Sequence, residues 1–538
     1  MDKVEPGRAP VYEMLEQYRA KGNLSYHVPG HKNGEAYRFS EGAGFLDEVM
    51  RYDVTEITGT DDLHHPEGVI QEAQELAADC FGAEMSFFLV GGSTAGNLAL
   101  ILTVCPEPGM TLILQRNVHK SVIHGLMLAG VRAVFVEPQI DPVSGLAVAP
   151  AAETVQAALA AYPEAAAVLV TMPNYYGMGS DLAPLALACH TRGVPLLVDE
   201  AHGAHYGQHP ALPAGALMCG ADGVVQSTHK MLAALTMGAM LHVQGPLLDR
   251  TLLRQRLAMV QSSSPSYPVM ASLDLARRLV HSQRAGAFTA GLAAVDVLRR
   301  GLATLPRYGL LQPAQPLQPL GGGADAAAAG DTPPQGMAAY CTQDPFKAVI
   351  YDAAGVLGGF ELQRRLEAEG IVPEMSDDRH VVLAFSLGSK AEDSQRLLDA
   401  LRRIAAEAAD CPEGASSGTS ARLHPGEAEA SASPSQNNST WNIFTDALIS
   451  KPVQFSLKPV NILQTESIRL EYSAGRTAAE IVIPYPPGIP LLYPGEKVTK
   501  DITTRLIGLR QGGTKFQACA DPALQQIVVY NIKKGGDV

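Results

Sequence analysis

The run Pro195-Leu-Leu-Val-Asp-Glu-Ala-His-Gly-Ala-His205 joins a short apolar strand to a turn of small and polar residues. Similar short apolar runs alternate with helical stretches between about residues 67 and 245. Such alternation predicts a mostly parallel sheet that helices cover on both faces. The predicted strands are 87–90, 111–114, 133–136, 167–171, 195–198 and 223–225, and the predicted helices are 69–80, 96–104, 119–129, 152–161 and 182–192.

Ligands of such sheets bind at the carboxyl ends of the strands, so the residues that follow each strand are candidates for a site. After strand 87–90 the chain turns through small residues into a helix. Backbone N–H groups at the start of that helix could hold an anion, and Ser93 and Thr94 could add hydroxyl donors. A tight turn without any ligand is the alternative for this motif taken alone.

Three further polar residues follow predicted strands. Asp199 could hold a protonated ring nitrogen, or it could be a helix N-cap. Lys230 closes the run 222–230 and could form a Schiff base with a carbonyl, or it could be a surface lysine. The imidazole of His119 could lie flat against a pyridine ring. A phosphate cradle, an acid and a lysine in this order are what pyridoxal 5′-phosphate requires.

Several other stretches are distinctive: HVPGHK at 27–32, DVTEITGTDDL at 53–63, RNVHKSVIHG at 116–125, DEAH at 199–202, STHKMLAA at 227–234, SPSYPVMASLD at 264–274 and PYPPGIP at 484–490. In these stretches the chain resembles the pyridoxal-phosphate-dependent ornithine/lysine/arginine decarboxylases of the bacterial type, in their short form. The resemblance implies an α/β protein of fold type I, as in aspartate aminotransferase. A large cofactor-binding domain with a mostly parallel sheet would be joined by smaller α/β C-terminal domains.

The resemblance also implies roles for single residues. Lys230 would carry the cofactor, Asp199 would pair with its pyridinium nitrogen, His119 would stack on its ring and His202 would sit beside it. The residues expected around the phosphate are Ser93, Thr94, Ala95, Ser227 and His229. Ser264 lies in a segment that is expected to face the active site of a partner subunit. Met237 departs from the family, where a glutamine is expected.

The implied reaction is decarboxylation of a basic amino acid, with arginine to agmatine, for polyamine biosynthesis, favoured by analogy with the short forms. Lysine to cadaverine and ornithine to putrescine are alternatives. Another fold type I enzyme, such as an aminotransferase or lyase, and a non-catalytic relative also stay open. Glu374 and Asp377 are candidates for the cationic end of the substrate, because a desolvated cation needs a paired charge. Both could instead be solvated loop acids.

Composition narrows the class of protein. The 538 residues carry 41 Lys and Arg against 55 Asp and Glu, and the net charge of −14 argues against a nucleic-acid partner. No apolar run approaches the roughly 18 residues of a membrane span, and seven scattered cysteines suggest reduced thiols rather than a metal or disulfide framework. We therefore expect a cytoplasmic protein without a metal, and the resemblance in the segment around Ser264 implies a homodimer or a higher homo-oligomer.

The expected organisation has six parts. They are an N-terminal arm (1–60), a large cofactor-binding domain (61–310), a Pro/Gly/Ala-rich linker (311–343), a small α/β domain (344–408), a low-complexity linker (409–440) and a C-terminal domain (441–538).

Overall fold

The computed structural model describes residues 5–313, 339–410, 448–485 and 488–531. Most of the expected linker 311–343 and nearly all of the expected linker 409–440 lie outside these residues. The helices are α1 Pro10–Lys21, α2 Ala43–Met50, α3 Val69–Phe81, α4 Gly92–Val104, α5 Lys120–Ala129, α6 Ala152–Ala161, α7 Ala183–His190, α8 Thr228–Met231, α9 Arg250–Val260, α10 Tyr267–Gln283, α11 Thr289–Leu302, α12 Gly359–Ala368, α13 Ala391–Asp410 and α14 Lys500–Gln511.

The strands are β1 Met85–Leu89, β2 Thr111–Gln115, β3 Arg132–Val136, β4 Ala167–Thr171, β5 Met178–Gly179, β6 Leu196–Asp199, β7 Gly223–Gln226, β8 Ala239–Val243, β9 Tyr308–Leu310, β10 Thr342–Gln343, β11 Lys347–Asp352, β12 Met375–Ser376, β13 His380–Ala384, β14 Val453–Gln454, β15 Thr465–Arg469, β16 Ile483–Tyr485, β17 Lys515–Gln517 and β18 Gln526–Tyr530.

The large sheet has the order β1-β8-β7-β6-β4-β2-β3-β14. Strands β2, β3, β4, β6 and β7 pair in parallel, and β8 runs antiparallel to both of its neighbours, so that β1 points the same way as β7. The predicted α/β fold with a mostly parallel sheet is confirmed. The carboxyl ends of β1, β2, β4, β6 and β7 therefore meet at one edge, which is where the polar turns lie.

The two faces of this sheet are covered separately. Leu112 and Leu114 of β2 pack into one apolar cluster, whereas Ile113 between them packs into another on the opposite face. This alternation follows from the period of two in a strand. Residues of the C-terminal region, among them Leu492 and Tyr493, belong to the same cluster as Leu112. The C-terminal region is thus packed directly on the large sheet.

Three details differ from the prediction. The helix predicted to begin at residue 96 begins at Gly92. The small residues that were predicted to form a loop after β1 form the first turn of this helix. Strand β8 was not predicted, although all of its residues are buried. Strand β14 comes from far along the chain and adds to the edge of the sheet beside β3.

A second sheet, β12-β13-β11-β9, is antiparallel and packs with helices α11, α12 and α13. Its strand β9 precedes the expected linker 311–343, and its other three strands follow it. The proposed domain boundaries stay a prediction. In the described parts of the chain, no helix combines the length and the apolar character needed to cross a bilayer.

Candidate active site

Lys230 lies in the short helix α8, directly after β7. Its Nζ is 3.0 Å from Nε2 of His202 and 5.3 Å from the centre of the Tyr175 ring. Burial lowers the pKa of Lys230, the nearby ammonium of Lys347 lowers it further, and the carboxylate of Asp199 opposes both effects. A lysine with a lowered pKa is a better nucleophile at neutral pH because more of its amine is unprotonated.

His202 is buried between Lys230 and Tyr175, and its ring centre lies 4.1 Å from that of Tyr175. Burial, together with the charge of Lys230, holds the pKa of His202 well below its usual range. The ring is therefore neutral, and the Lys230 amine donates to Nε2. The proton of the ring is then on Nδ1, which has no hydrogen-bond partner among the described residues.

Asp199 ends β6 and is only 2% exposed. Its Oδ2 accepts a hydrogen bond from Nδ2 of Asn97 at 2.9 Å, and its Oδ1 accepts one from the backbone of Ala201 at 3.2 Å. Burial raises the pKa of Asp199, and the hydrogen bond from Asn97 and the charge of Lys230 oppose this effect. Turns rather than a helix follow Asp199, so the alternative of a helix N-cap does not apply here.

The carboxylate of Asp199 is linked to His119 through two polar side chains. Asn97 donates from the same Nδ2 to Oγ of Ser121 at 3.0 Å, and Nδ1 of His119 lies 2.9 Å from that Oγ. The backbone N–H of Ser121 also donates to Nδ1 of His119, which is the N-cap of α5. Since Nδ1 is an acceptor, Nε2 carries the proton of the neutral ring. Burial, with help from the charge of Lys230, lowers the pKa of His119 to about 3.

The expected phosphate cradle lies at the start of α4. Its N-cap is Gly91, and no side chain caps the first turn, so backbone N–H groups point outward there. Oγ of Ser227 donates to Oγ of Ser93 at 2.8 Å, which brings the two predicted hydroxyls together. Thr94 is exposed in the same turn and Ala95 is buried behind it. This geometry suits an anion.

Met237 and His229, which also lie in this region, form hydrogen bonds that involve the backbone. The Met237 carbonyl accepts a hydrogen bond from the N–H of Gly92 at 2.9 Å, while the Met237 side chain is exposed. Both the N–H and Nδ1 of His229 lie within hydrogen-bonding distance of the Gly238 carbonyl. Nε2 of His229 is the part of that ring left for a phosphate, and its role stays a prediction.

One cavity is lined by Lys230, His202, Asp199, His119 and Ser93. Oγ1 of Thr171, which also lines this cavity, is buried without a hydrogen-bond partner in the described part of the chain. A buried carboxylate bonded to neutral donors, a lysine amine bonded to a neutral imidazole and a helix start without a side-chain cap are complementary to a ring nitrogen, an aldehyde and a phosphate. The residues present therefore fit pyridoxal phosphate.

The predicted substrate residues lie in three different surroundings. Asp377 accepts hydrogen bonds from the hydroxyl of Tyr176 at 2.7 Å and from the backbone and ring of His380, so it is already engaged. Glu374 is exposed and its side chain has no hydrogen bond or ion pair among the described residues, yet its charge acts on Lys230. Ser264 is exposed in the segment before α10 and does not line the cavity that contains Lys230 within this chain.

Asn97, Ser121 and Tyr175 are site residues that the sequence reasoning missed. Asn97 had a detectable signal, because it is the single amide in the helix Gly92–Val104 and is followed there by a mostly apolar run. A buried amide needs partners, and such a residue one turn after a candidate phosphate cradle points toward the site. Tyr175 offered no comparable signal, since it follows β4 in a turn with a second tyrosine.

Comparison with known protein families matches most of the chain. The model of the major domain of Orn/Lys/Arg decarboxylases matches residues 9–393, and the model of the C-terminal domain of the same enzymes matches residues 451–516. The first match contains every residue assigned above to the cavity.

Individual relatives agree with these matches. The chain is 37% identical to the uncharacterized protein YaaO of Bacillus subtilis, over 97% of this chain and 98% of that one. It is 30% identical to the arginine decarboxylase of the same bacterium, over 98% of both chains. Among solved structures, the constitutive lysine decarboxylase of Escherichia coli shares the fold with a TM-score of 0.73 and 21% identity, over 97% of this chain and 82% of that chain.

Proposed function

The chain belongs to the Orn/Lys/Arg decarboxylase family and is a decarboxylase that depends on pyridoxal 5′-phosphate, and we propose that its substrate is arginine, which it converts to agmatine for polyamine biosynthesis. The observation that carries this choice is the match over 98% of both chains to a protein named arginine decarboxylase. The lysine decarboxylase of known structure is matched over only 82% of its length. Lysine and ornithine are the alternative substrates.

The proposed mechanism divides the work among Lys230, Asp199, His119 and His202. Bound pyridoxal phosphate supplies an electron-withdrawing ring that takes up the electron pair left when CO₂ departs. Lys230 would hold the cofactor through its amine, whose lowered pKa makes it available as a nucleophile. Asp199 holds a proton on the ring nitrogen. His119 is neutral at physiological pH, so it can lie against a positively charged ring without repelling it.

A proton must reach Cα of the substrate after CO₂ has left. Lys230 and His202 are the candidates, because they share a hydrogen bond at 3.0 Å and both line the cavity. The lowered pKa of His202 makes its ring an acceptor that can hold the Lys230 amine in place. We propose Lys230 as the donor and His202 as the residue that orients it.

The substrate is tested most directly by its products. The protein loaded with pyridoxal phosphate is incubated separately with arginine, lysine and ornithine, and the amine is identified by mass spectrometry. We expect agmatine as the main product. A keto acid in place of CO₂ and an amine would indicate an aminotransferase, and no product from any of the three would contradict the proposal.

We propose Glu374 as the group that recognises the cationic end of the substrate, in preference to the already engaged Asp377. Glu374→Gln removes the charge with little change of shape. KM for arginine should rise about tenfold, with a smaller change in kcat. The reason is that Glu374 would stabilise the bound substrate and the transition state to a similar extent. Steady-state kinetics with all three amino acids measures this effect.

Glu367→Gln provides the matched control for that substitution. Glu367 accepts a hydrogen bond from Gln363 on the exposed face of α12, away from the cavity. Its substitution should leave KM within about twofold of wild type, as expected for a surface position. Equal kinetics for Glu374→Gln and Glu367→Gln would show that Glu374 is a solvated surface residue that does not bind the substrate.

Asn97 should position both Asp199 and Ser121, because one side-chain nitrogen donates to both. Asn97→Ala removes both bonds within a buried site, at a cost of about 1–3 kcal/mol for each buried group left unsatisfied. We expect kcat to fall about 10–100-fold, at about 1.4 kcal/mol per tenfold, while thermal unfolding of the protein stays cooperative. Unchanged kcat and cofactor absorbance in Asn97→Ala would show that the bridge is dispensable.

We propose a homodimer or a multiple of it in the cytoplasm. Large apolar side chains of the N-terminal arm are exposed in the single chain, among them Leu24, Tyr26, Phe39 and Phe45. An exposed apolar set of this kind is typical of a subunit interface. Ser264 would then face the partner's cavity. Analytical ultracentrifugation tests the assembly, and a fully active monomer would contradict it.

A further inference from the structure

The backbone of Gly488, in the C-terminal region, lies against the ring of His119. A Cβ added at Gly488 would be 3.2 Å from both Cδ2 and Nε2 of that ring, which is tighter than ordinary van der Waals contact. The carbonyl of Gly488 accepts a hydrogen bond from the N–H of Lys120 at 3.0 Å. The next residue, Ile489, lines the cofactor cavity. The C-terminal region thus reaches the cavity by its backbone.

A buried ion pair anchors this contact. Arg116, three residues before His119, is fully buried, and its Nη2 donates to the two carboxylate oxygens of Glu496 at 2.8 and 2.9 Å. Nη1 of Arg116 also donates to the carbonyl of Pro490 at 3.1 Å. Its guanidinium lies 3.9 Å from the centre of the Tyr493 ring. A buried pair with this many bonds fixes the relative position of the two segments, whatever its net contribution to stability.

The His119 ring is therefore contacted at two places. Ser121 is hydrogen-bonded to its Nδ1, and the backbone of Gly488 lies next to its Cδ2 and Nε2. We propose that Gly488 is a positioning residue that sets the plane of the His119 ring, so that the C-terminal region takes part in holding the cofactor. This inference rests on the proposed stacking role of His119.

Glycine is required at this position for two separate reasons. Its φ is +86°, a conformation that residues with a Cβ rarely adopt. An added methyl group would lie 3.2 Å from His119, so the ring would have to shift by a few tenths of an ångström. Gly475 separates the two reasons, since it has a φ of +85° in the same C-terminal region but no atom within 4 Å of an added Cβ.

The test compares Gly488→Ala with Gly475→Ala and His119→Ala as holoenzymes. The apparent dissociation constant of pyridoxal phosphate, the circular dichroism of its visible band and thermal unfolding are measured. Gly488→Ala should weaken cofactor binding about tenfold, at the upper end of what an aromatic stack contributes, and should change the visible dichroism. Gly475→Ala should lose similar thermal stability and keep its cofactor affinity within about twofold.

The double variant His119→Ala/Gly488→Ala shows whether the effect passes through the ring. We expect Gly488→Ala to weaken binding no further once the ring is gone. If Gly488→Ala does not fold, Gly488→Asn replaces it, because asparagine tolerates positive φ better while still carrying the Cβ.

Three results would overturn the proposal. Equal loss of affinity in Gly488→Ala and Gly475→Ala would show that backbone strain, and not the contact with His119, weakens cofactor binding. Full affinity in Gly488→Ala, with weakened binding in His119→Ala, would show that the glycine does not position the ring. Full affinity in His119→Ala would instead remove the stacking role on which the inference rests.

Discussion

Lys230→Ala is expected to abolish decarboxylation and the covalent attachment of the cofactor. Turnover should fall by more than about 10⁴-fold, a rise in the barrier of roughly 5.5 kcal/mol, because the variant loses both the amine that binds the cofactor and the proposed proton donor. The fold should survive, since Lys230 is half-buried at the cavity rather than part of an apolar cluster. Product formation and borohydride reduction followed by mass spectrometry of the peptides measure the two losses.

Lys347 provides the comparison for that experiment. It is a buried lysine at the start of β11, and its charge lowers the pKa of Lys230. Lys347→Ala should therefore retain the covalent attachment at Lys230, even if its kinetics change. Near-normal turnover of Lys230→Ala, or cofactor trapped on Lys347 in the wild-type protein, would show that the assignment is wrong.

Asp199→Asn should bind pyridoxal phosphate but convert substrate about 10²–10⁴-fold more slowly. A neutral amide cannot stabilise a proton on the ring nitrogen, so the ring loses much of its capacity to accept electrons. The expected cost is several kcal/mol, at about 1.4 kcal/mol per tenfold. The chemical shift of pyridoxal phosphate labelled with ¹⁵N on the ring reports directly whether the nitrogen is protonated, independently of turnover.

Asp249→Asn is the control for this substitution, because Asp249 is a true helix N-cap. Its carboxylate accepts hydrogen bonds from the backbone of Thr251 and Leu252 at the start of α9. Asparagine is an equally good cap, so activity should be unchanged. A loss of less than about tenfold in Asp199→Asn, close to that of the control, would mean that Asp199 is a structural residue.

Much of the large sheet could be predicted from the sequence. The predicted helices 69–80 and 152–161 agree with Val69–Phe81 and Ala152–Ala161, and the predicted strand 167–171 agrees with Ala167–Thr171. The two helices have a helical period and the strand is a short apolar run, and both signals depend only on neighbouring residues. Strand β8 was missed although it is as buried as the predicted strands, and it runs antiparallel to its neighbours in the sheet.

The members of the candidate site could also be predicted, but not their connections. Lys230, Asp199 and His119 each follow a predicted strand, and the parallel order of the strands places them at the same edge. The bridge through Asn97 joins residues 97, 121 and 199, and no local pattern links these positions. Only the pairing of strands brings them within hydrogen-bonding distance.

The sequence by itself determined the class of fold, the family and the residues that can carry the chemistry, because these follow from local periodicity and from short motifs. The tertiary structure alone decided that Asp377 is already engaged by Tyr176 and His380 while Glu374 is not. It also decided that Gly488 lies against His119. The physical reason is that the hydrogen bonds and contacts of a side chain depend on groups hundreds of residues away, whose positions are set only when the apolar faces of the sheet are buried.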